Sequence, residues 1–150
     1  MVDALSRASR WVEPPLGRVI DLRPAHGVPQ VELGPADGRV VSAGALAVDT
    51  ERETRHRNAD AAVRDARARG ILTLENEDEF AFYRYADSAD ELRDYIATKF
   101  RHTRMDAPTH AHAASLMRRR PGARLWLREQ AAIRELRPAA AAAETPRRSR

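Results

Sequence analysis

The spacing of apolar side chains changes several times along this chain, and each change predicts a new helix or strand. Four apolar residues near the start lie on one helix face: Val2, Leu5, Ala8 and Val12. The prolines at positions 14 and 15 end that helix, because the residue before a proline is disfavoured in the α conformation. The β-branched run over residues 18–22 then predicts a short strand.

Between residues 27 and 45 the pattern becomes an alternation of apolar and polar side chains. Val31 and Leu33 alternate with polar neighbours, and the extended pattern resumes at Val40. The residues between these runs, 34–38, read Gly-Pro-Ala-Asp-Gly, which is typical of a turn. Two alternating runs joined by such a turn predict a β-hairpin.

Three further helices are predicted by their first residues and their apolar spacing. Thr50 and Ser88 are each followed three residues later by glutamate, the capping box that marks a helix start. The first of these helices spans residues 50–69, and a third helix begins at Asp106. The helix after Ser88 has an apolar face at helical spacing: Leu92, Tyr95, Ile96 and Phe100.

Residues 124–136 fit two descriptions. Polar and apolar side chains alternate over 124–128, as in a strand, whereas 129–136 contains good helix formers. A Pro-Gly turn precedes this segment and Pro138 follows it, so we favour a strand.

All phenylalanines and tyrosines fall between residues 71 and 100: Phe80, Phe82, Tyr83, Tyr85, Tyr95 and Phe100. Aromatic side chains bury more apolar area per residue than any others, so we expect the core to be built in this stretch. Residues 71–85 read as one long bent strand or a tight hairpin, because Glu77, Asp78 and Glu79 interrupt its apolar pattern.

Composition indicates one α+β domain over residues 1–138 and a disordered tail, rich in alanine and arginine, over 139–150. Hydrophobic residues make up 43% of the 150, and many are alanine, so we expect a thin core or one completed by another chain. The absence of cysteine excludes disulfides and thiolate metal sites. No apolar run approaches the roughly 20 residues that span a bilayer, and no signal peptide is evident, so a cytoplasmic protein is expected.

The formal charge of +4 comes almost entirely from arginine, with Lys99 as the only lysine. Guanidinium groups suit phosphate and carboxylate recognition, but a GC-rich genome would also encode many arginines. The charge is uneven, with an acidic run at 75–79 and a basic stretch at 99–128. Among the arginines at 118–120, 124 and 128, Trp126 is the one interleaved aromatic residue, so we do not expect a nucleic-acid partner.

Three segments, taken in order, resemble the second half of a class I S-adenosylmethionine (SAM)-dependent methyltransferase. Residues 4–24, ALSRASRWVEPPLGRVIDLRP, are similar to the family's late helix, its proline-containing turn and its fifth strand. Residues 70–95 resemble the next strand and helix, and residues 125–138 resemble the last strand. The resemblance covers residues 2–138 and implies a partial Rossmann-like sheet of about four or five strands with mixed directions and flanking helices.

The sequence lacks the SAM-binding loop of the family that it resembles. In that family SAM is held by the first half of the fold, through a glycine-rich loop and an acidic residue, and this sequence has no Gly-x-Gly-x-Gly run. No SAM contact can be carried over to a residue here, so no cofactor is predicted for this chain alone. The resemblance therefore implies a non-catalytic binding or partner subunit. The alternative is a small-molecule methyltransferase whose SAM site is completed by another chain or by upstream sequence.

Four residues are candidates for a substrate or ligand pocket, while no catalytic or metal-binding residue is predicted. Asp21 and Arg23 end a predicted parallel strand, where open α/β sheets bind ligands, or else form a local ion pair. Tyr83 and Tyr85 line a pocket or pack on the helix that follows them. The closest histidines, His110 and His112, are two apart on a predicted helix and cannot readily share an ion.

The strand at residues 18–22 predicts a partner. In the complete methyltransferase fold the fifth strand pairs with the fourth, so without the fourth it presents an open edge. The hairpin at residues 27–45 covers that edge, or a second copy or another protein pairs with it. We expect a homodimer or a protein partner through this strand, and no membrane partner.

Overall fold

The protein is described here by a computed structural model that covers residues 2–13, 16–34 and 38–139, without the side chains of residues 2 and 3. The predicted tail, apart from Ala139, lies outside the described residues, and so does the middle of the predicted turn at 34–38. Among the described residues, no helix has both the length and the apolar character needed to cross a membrane.

The described residues form four helices and seven strands. The helices are α1 (Val2–Arg10), α2 (Thr50–Ala68), α3 (Ala89–Lys99) and α4 (Ala107–Arg119). The strands are β1 (Val19–Pro24), β2 (Gln30–Gly34), β3 (Val41–Ala45), β4 (Ala47–Val48), β5 (Leu72–Ala86), β6 (Thr103–Arg104) and β7 (Arg124–Pro138). The predicted α+β class is confirmed, as are the strand at 124–136 and the reading of 72–86 as one long strand.

Strand β7 is the centre of the larger sheet. It pairs with β1, β2 and β5, while β3 joins through β2, and β4 and β6 form a separate pair. The β2–β3 and β2–β7 pairs are antiparallel, with Val31 opposite Leu127 and Leu33 opposite Leu125. The hairpin prediction is therefore confirmed.

The sheet is open and antiparallel, which corrects two expectations. As residue numbers rise along β1, the residue numbers of the facing partners on β7 fall: Asp21 contacts Arg134, whereas Ala25 donates its N–H to Gln130 O. The expected mixed strand directions and the parallel setting of residues 18–22 are wrong, because β7 returns beside its neighbours in the opposite direction. The idea that the hairpin covers the edge of β1 is also wrong, since β2 pairs with β7.

The chain folds into two compact units. The first unit contains Met1–Leu22, Arg57–Asp78 and Ala132–Arg150, and the second contains Arg23–His56 and Glu79–Ala131. In the first unit, the buried core joins helix α2 to strands β5 and β7 through Val63, Ala66, Leu72 and Leu136.

In the second unit, helices α3 and α4 cover one face of the sheet. The sheet contributes Val31, Leu33, Ala43, Leu125 and Leu127, and the helices contribute Leu92, Ile96, Ala113 and Leu116. Removing such side chains from water stabilises the fold by about 25 cal/mol per Å² of apolar area buried.

The prediction that residues 71–100 and their aromatic side chains build the core is confirmed only in part, since Tyr95 and Phe100 pack against the buried cluster of the second unit. Among the described residues, the largest fully buried side chains are all aliphatic, whereas Phe80, Tyr83 and Tyr85 are exposed. The reason is the position of β5, which pairs only with β7 among the described strands and so lies at the rim of the sheet. Leucines on β7 take the central positions instead.

Helix α3 begins as the sequence predicted. Ser88 Oγ accepts the N–H of Glu91 at 3.0 Å, and Glu91 Oε2 accepts the N–H of Asp87 at 2.8 Å. The predicted cap at Thr50 is wrong: the Asp49 carboxylate accepts the N–H of Arg52 at 3.0 Å, and Thr50 is already the first residue of α2. Both caps satisfy backbone donors that a helix start leaves without partners.

The substitution Ser88→Ala should lower the free energy of unfolding by about 1 kcal/mol, because it removes the acceptor for the Glu91 N–H. In a chain of this size that corresponds to a melting temperature about 2–4 °C lower. Thr98→Ala is the matched control, since Thr98 lies exposed near the end of α3 and its Oγ1 donates to Asp94 O within the same helix. Equal melting temperatures for wild type and Ser88→Ala would contradict the capping role.

Candidate functional site

A cavity of about 360 Å³ lies in the second unit between strand β5 and helix α3. Its lining is Tyr83, Arg84, Tyr85 and Ala86 from the strand and Glu91, Leu92 and Tyr95 from the helix. We call it the β5–α3 groove. Tyr83 and Tyr85 are thus brought together at one site, as a pocket-lining role requires.

Strand β7 supports the two tyrosines from one side. The rings of Tyr83 and Tyr85 both pack edge-on against Trp126, with centroids 5.6 Å apart in each case. The guanidinium of Arg124 lies 5.6 Å from the centre of the Tyr85 ring. Edge-to-face and cation–π contacts of this kind hold rings in defined orientations.

Trp126 is itself fixed by a carboxylate on the neighbouring strand. Its Nε1–H donates to Glu32 Oε2 at 3.0 Å, and Arg128 Nε donates to the other oxygen of Glu32 at 2.9 Å. A Cβ at Gly34 would lie 2.0 Å from the indole ring, so only glycine leaves space for Trp126 across β2. The support behind the tyrosines is therefore rigid.

On the helix side, Arg84 and Glu91 are the charged residues of the groove. The Arg84 guanidinium lies 5.2 Å from the centre of the Tyr95 ring, and Tyr95 packs edge-on against Phe100. Glu91 is the only carboxylate among the described lining residues, and it is already engaged in capping α3. The groove therefore presents aromatic surface with one cation and one carboxylate.

The other two predicted pocket residues lie elsewhere. Asp21 is near the middle of β1, not at its end, and its carboxylate lies 3.3 Å from Arg134 in the first unit. Arg23 lies next to the last residue of β1 and affects the charge around His56. Neither lines the β5–α3 groove.

Arg134 is the centre of a group of ion pairs in the first unit. It contacts Asp21 of β1, Asp60 of α2 at 3.0 Å and Glu77 of β5, and its side chain is only 17% exposed. These contacts join one helix and three strands, so the group acts as a structural link. Sequence reasoning did not predict this network, because its four residues lie far apart in the sequence.

The second unit contains a buried carboxyl that sequence reasoning also missed. Glu129 is 5% exposed, and burial raises the pKa of its carboxyl, an effect that Arg52 and Arg84 partly offset. The signal was present in the alternation of β7, because Glu129 shares its phase with Leu125 and Leu127, which are fully buried.

The first turns of α2 place a partly buried arginine and a histidine close to Glu129. Arg52 donates from Nη1 to Gly27 O at 2.7 Å, and burial lowers the pKa of its guanidinium. The rings of His26 and His56 have centroids 5.6 Å apart. Burial, with Arg52 next in effect, lowers the pKa of His56 and so favours its neutral form.

The remaining histidines have separate partners. His102 Nδ1 lies 3.0 Å from Asp49, His110 Nε2 lies 3.0 Å from Asp90, and His112 Nδ1 lies 3.0 Å from Ala43 O. Within residues 2–13, 16–34 and 38–139, no three histidine, cysteine or acidic side chains are grouped to hold a metal ion.

The β5–α3 groove does not fit SAM, the cofactor of the family that the sequence resembles. The described residues that line it include no glycine to allow close backbone approach, and the capping role of Glu91 leaves no carboxylate there for a ribose. We therefore derive no chemical step through SAM in this chain.

No family model, curated protein or solved structure matches this chain. Its function must therefore be argued from its own geometry.

The substitution Glu129→Gln should remove a loss of stability that wild type suffers as pH rises. The folded-state pKa of Glu129 is raised, so the folded state binds more protons than the unfolded state between the unfolded-state pKa, about 4.3, and the folded-state pKa. Wild-type stability therefore falls as pH rises from the first of these values to the second. Urea unfolding from pH 4 to pH 7 should show the stability of Glu129→Gln rising relative to wild type as pH increases.

Glu135→Gln is the control, since Glu135 is partly exposed and pairs with Arg18. A stability difference between Glu129→Gln and wild type that falls as pH rises would mean that Arg52 and Arg84 outweigh burial, contrary to the assignment.

Proposed function

We propose that this chain is a non-catalytic binding domain related to class I methyltransferases, with the β5–α3 groove as its ligand site. The observation that carries the proposal is the described lining of the groove: three tyrosines, a stacked arginine, and a single carboxylate that caps a helix. Such a lining binds through aromatic surface, and Arg84 and Glu91 supply one charge of each sign to orient a ligand. It offers no nucleophile next to a base among its described residues.

The order of the strands supports the family relation. The segments that resemble the family's fifth, sixth and last strands are β1, β5 and β7, and β7 lies between the other two. Fold alone does not fix function, so the relation supports a binding role only together with the groove.

The open edge of β1 favours a second candidate function, that of a methyltransferase completed by another chain. Among the described strands β1 pairs only with β7, so its other edge is where the rest of a methyltransferase sheet would join. A small-molecule methyltransferase whose SAM site is completed by another chain would use this edge.

A titration with S-adenosylhomocysteine separates the two functions. The binding-domain proposal predicts no change in melting temperature for the purified chain. A ligand that binds only the folded state at a hundredfold excess over Kd would add roughly 2.7 kcal/mol to the stability. A saturable rise in melting temperature would therefore overturn the first proposal and favour the methyltransferase.

We further propose that β1 is the contact with a protein partner, in the simplest case a second copy. Ile20 and Leu22 are 54% and 58% exposed, whereas Asp21 between them faces Arg134 on the other side of the sheet. Two apolar side chains on an open edge are an exposed pairing surface, and pairing two copies by a twofold axis would cover both.

Sedimentation of the chain should then show a dimer that Ile20→Glu dissociates, because a charge would be buried in the contact. Val40→Glu is the control, since Val40 is similarly exposed, at 48%, but belongs to the second unit. A monodisperse monomer at high concentration, or equal loss of the dimer in both variants, would contradict the contact through β1.

A further inference from the structure

We propose that the first unit has a second ligand site, which binds the phosphate group of a small molecule between helix α2 and strand β5. This site goes beyond the proposed function, because its cavity is separate from the β5–α3 groove and lies in the other unit. Its main support is a pair of arginines that share the cavity and have no carboxylate partner in the described part of the chain.

The site is a cavity of about 450 Å³, which we call the α2–β5 cleft. Helix α2 contributes Arg64, Arg67 and Ala68 to its lining, and strand β5 contributes Leu72, Thr73 and Leu74. All of these residues belong to the first unit. Pockets that hold small ligands are typically about 300–1,000 Å³ in volume, so the cleft is large enough for one.

The two arginines of the cleft lie on one face of α2. Arg64 and Arg67 are three residues apart, which places their Cβ atoms about 5–6 Å from each other on a helix. Among residues 2–13, 16–34 and 38–139, neither guanidinium has a hydrogen bond, an ion pair or a stacked ring. Two unpaired positive charges therefore share a cavity whose described lining includes no acidic side chain.

The acidic residues that flank the cleft in sequence do not neutralise these charges. Each is paired with another arginine: Asp60 and Glu77 contact Arg134, Asp65 contacts Arg69, and Glu75 contacts Arg137. The C-terminal segment, residues 140–150, carries three arginines and one glutamate, so its net charge has the same sign as that of the cleft. The positive charge of the cleft therefore calls for an anion from outside the chain.

A purely structural role accounts for only one of the two arginines. Arg67 lies in the last turn of α2, where the helix dipole favours a positive charge. That effect falls off within one turn, so it does not account for Arg64. Two like charges three residues apart on a helix also repel each other, and an anion bound between them would remove that repulsion.

The donors of the cleft match a phosphate monoester better than a carboxylate. A phosphate monoester carries about 1.5 to 2 negative charges near pH 7 and has three acceptor oxygens. A carboxylate carries one charge, and a single guanidinium can satisfy both of its oxygens. Two guanidiniums and the Thr73 hydroxyl together supply a donor for each of three phosphate oxygens.

The rest of the lining suits an apolar group attached to that phosphate. Leu72 is fully buried, Leu74 packs against the same hydrophobic cluster, and Ala68 adds an apolar side chain from α2. Apolar walls with a few polar groups that fix orientation are typical of small-molecule sites. We therefore expect a phosphate ester with an apolar substituent to bind more tightly than inorganic phosphate.

The test titrates the 150-residue chain with phenyl phosphate and follows its backbone amide signals by NMR spectroscopy. Binding should be saturable, with the largest signal changes over residues 64–74. Inorganic phosphate, which lacks the apolar group, should bind at least about threefold more weakly. Benzoate, which keeps the ring but carries a single charge, should bind at least about tenfold more weakly.

Three variants assign the binding to the cleft. Arg64→Gln and Arg67→Gln should each weaken the binding of phenyl phosphate at least about fivefold, and Thr73→Val at least about threefold. All three side chains are exposed, so each variant should keep a melting temperature close to that of wild type. Arg119→Gln is the matched control, since Arg119 also lies in the last turn of a helix and donates to Ser115 Oγ.

Several outcomes would overturn the proposal. Equal affinity of wild type and both arginine variants would place phenyl phosphate outside the cleft, and equal affinity for benzoate would remove the phosphate assignment. Absence of saturation at about 10 mM phenyl phosphate would exclude a small phosphate ligand. If the chain then bound an oligonucleotide, or vesicles containing phosphatidic acid, through both arginines, the partner would be a nucleic acid or a membrane and the small-molecule assignment would be wrong.

Discussion

Strand β7 hydrogen-bonds to β1, β2 and β5, so the larger sheet is built around it. Its buried residues occupy odd positions up to Ala131 and even positions from Ala132 onward. Odd and even residues of a strand point to opposite faces, so this pattern needs no break in the alternation: buried side chains lie on one face in the first part of β7 and on the other face in the last part. Glu129 therefore shares a face with Leu125 and Leu127, and Arg134 lies on the opposite face.

Each unit matches its inward charge on β7 with an opposite charge on helix α2. Arg52 acts on Glu129 in the second unit, and Asp60 contacts Arg134 in the first. An ion pair with little exposure, such as Asp60–Arg134, contributes little net stability because desolvation offsets its attraction, but removing one partner is costly. The effect of these charges is therefore on register: a one-residue slip of β7 would leave Glu129 and Arg134 facing the wrong side.

Local patterns in the sequence were enough to predict most helices and strands. The capping box at Ser88 and the alternation after Pro121-Gly122 depend on neighbours in the chain, and both predictions are confirmed. The strand order was not predictable in this way, since it depends on contacts between residues far apart in sequence. The error about Phe80, Tyr83 and Tyr85 followed directly from that, because aromatic content alone could not place β5 at the rim.

The candidate site was predicted only in part for a related reason. Tyr83 and Tyr85 lie two apart on one strand, so they share a face wherever that strand goes. Asp21 was placed with them by analogy with parallel sheets, and the antiparallel sheet removes that analogy. Asp21 instead faces Arg134, more than a hundred residues away in sequence.

The open edge of β5 differs along its length. Residues 75–79 carry four acidic side chains, which oppose pairing with another strand because like charges would be brought together and desolvated. Residues 80–85 carry the exposed Phe80, Tyr83 and Tyr85, and Arg84 is the one charged side chain among these six residues. Because fewer charges oppose pairing there, this part of the β5 edge is more prone to pair with another strand than residues 75–79 are.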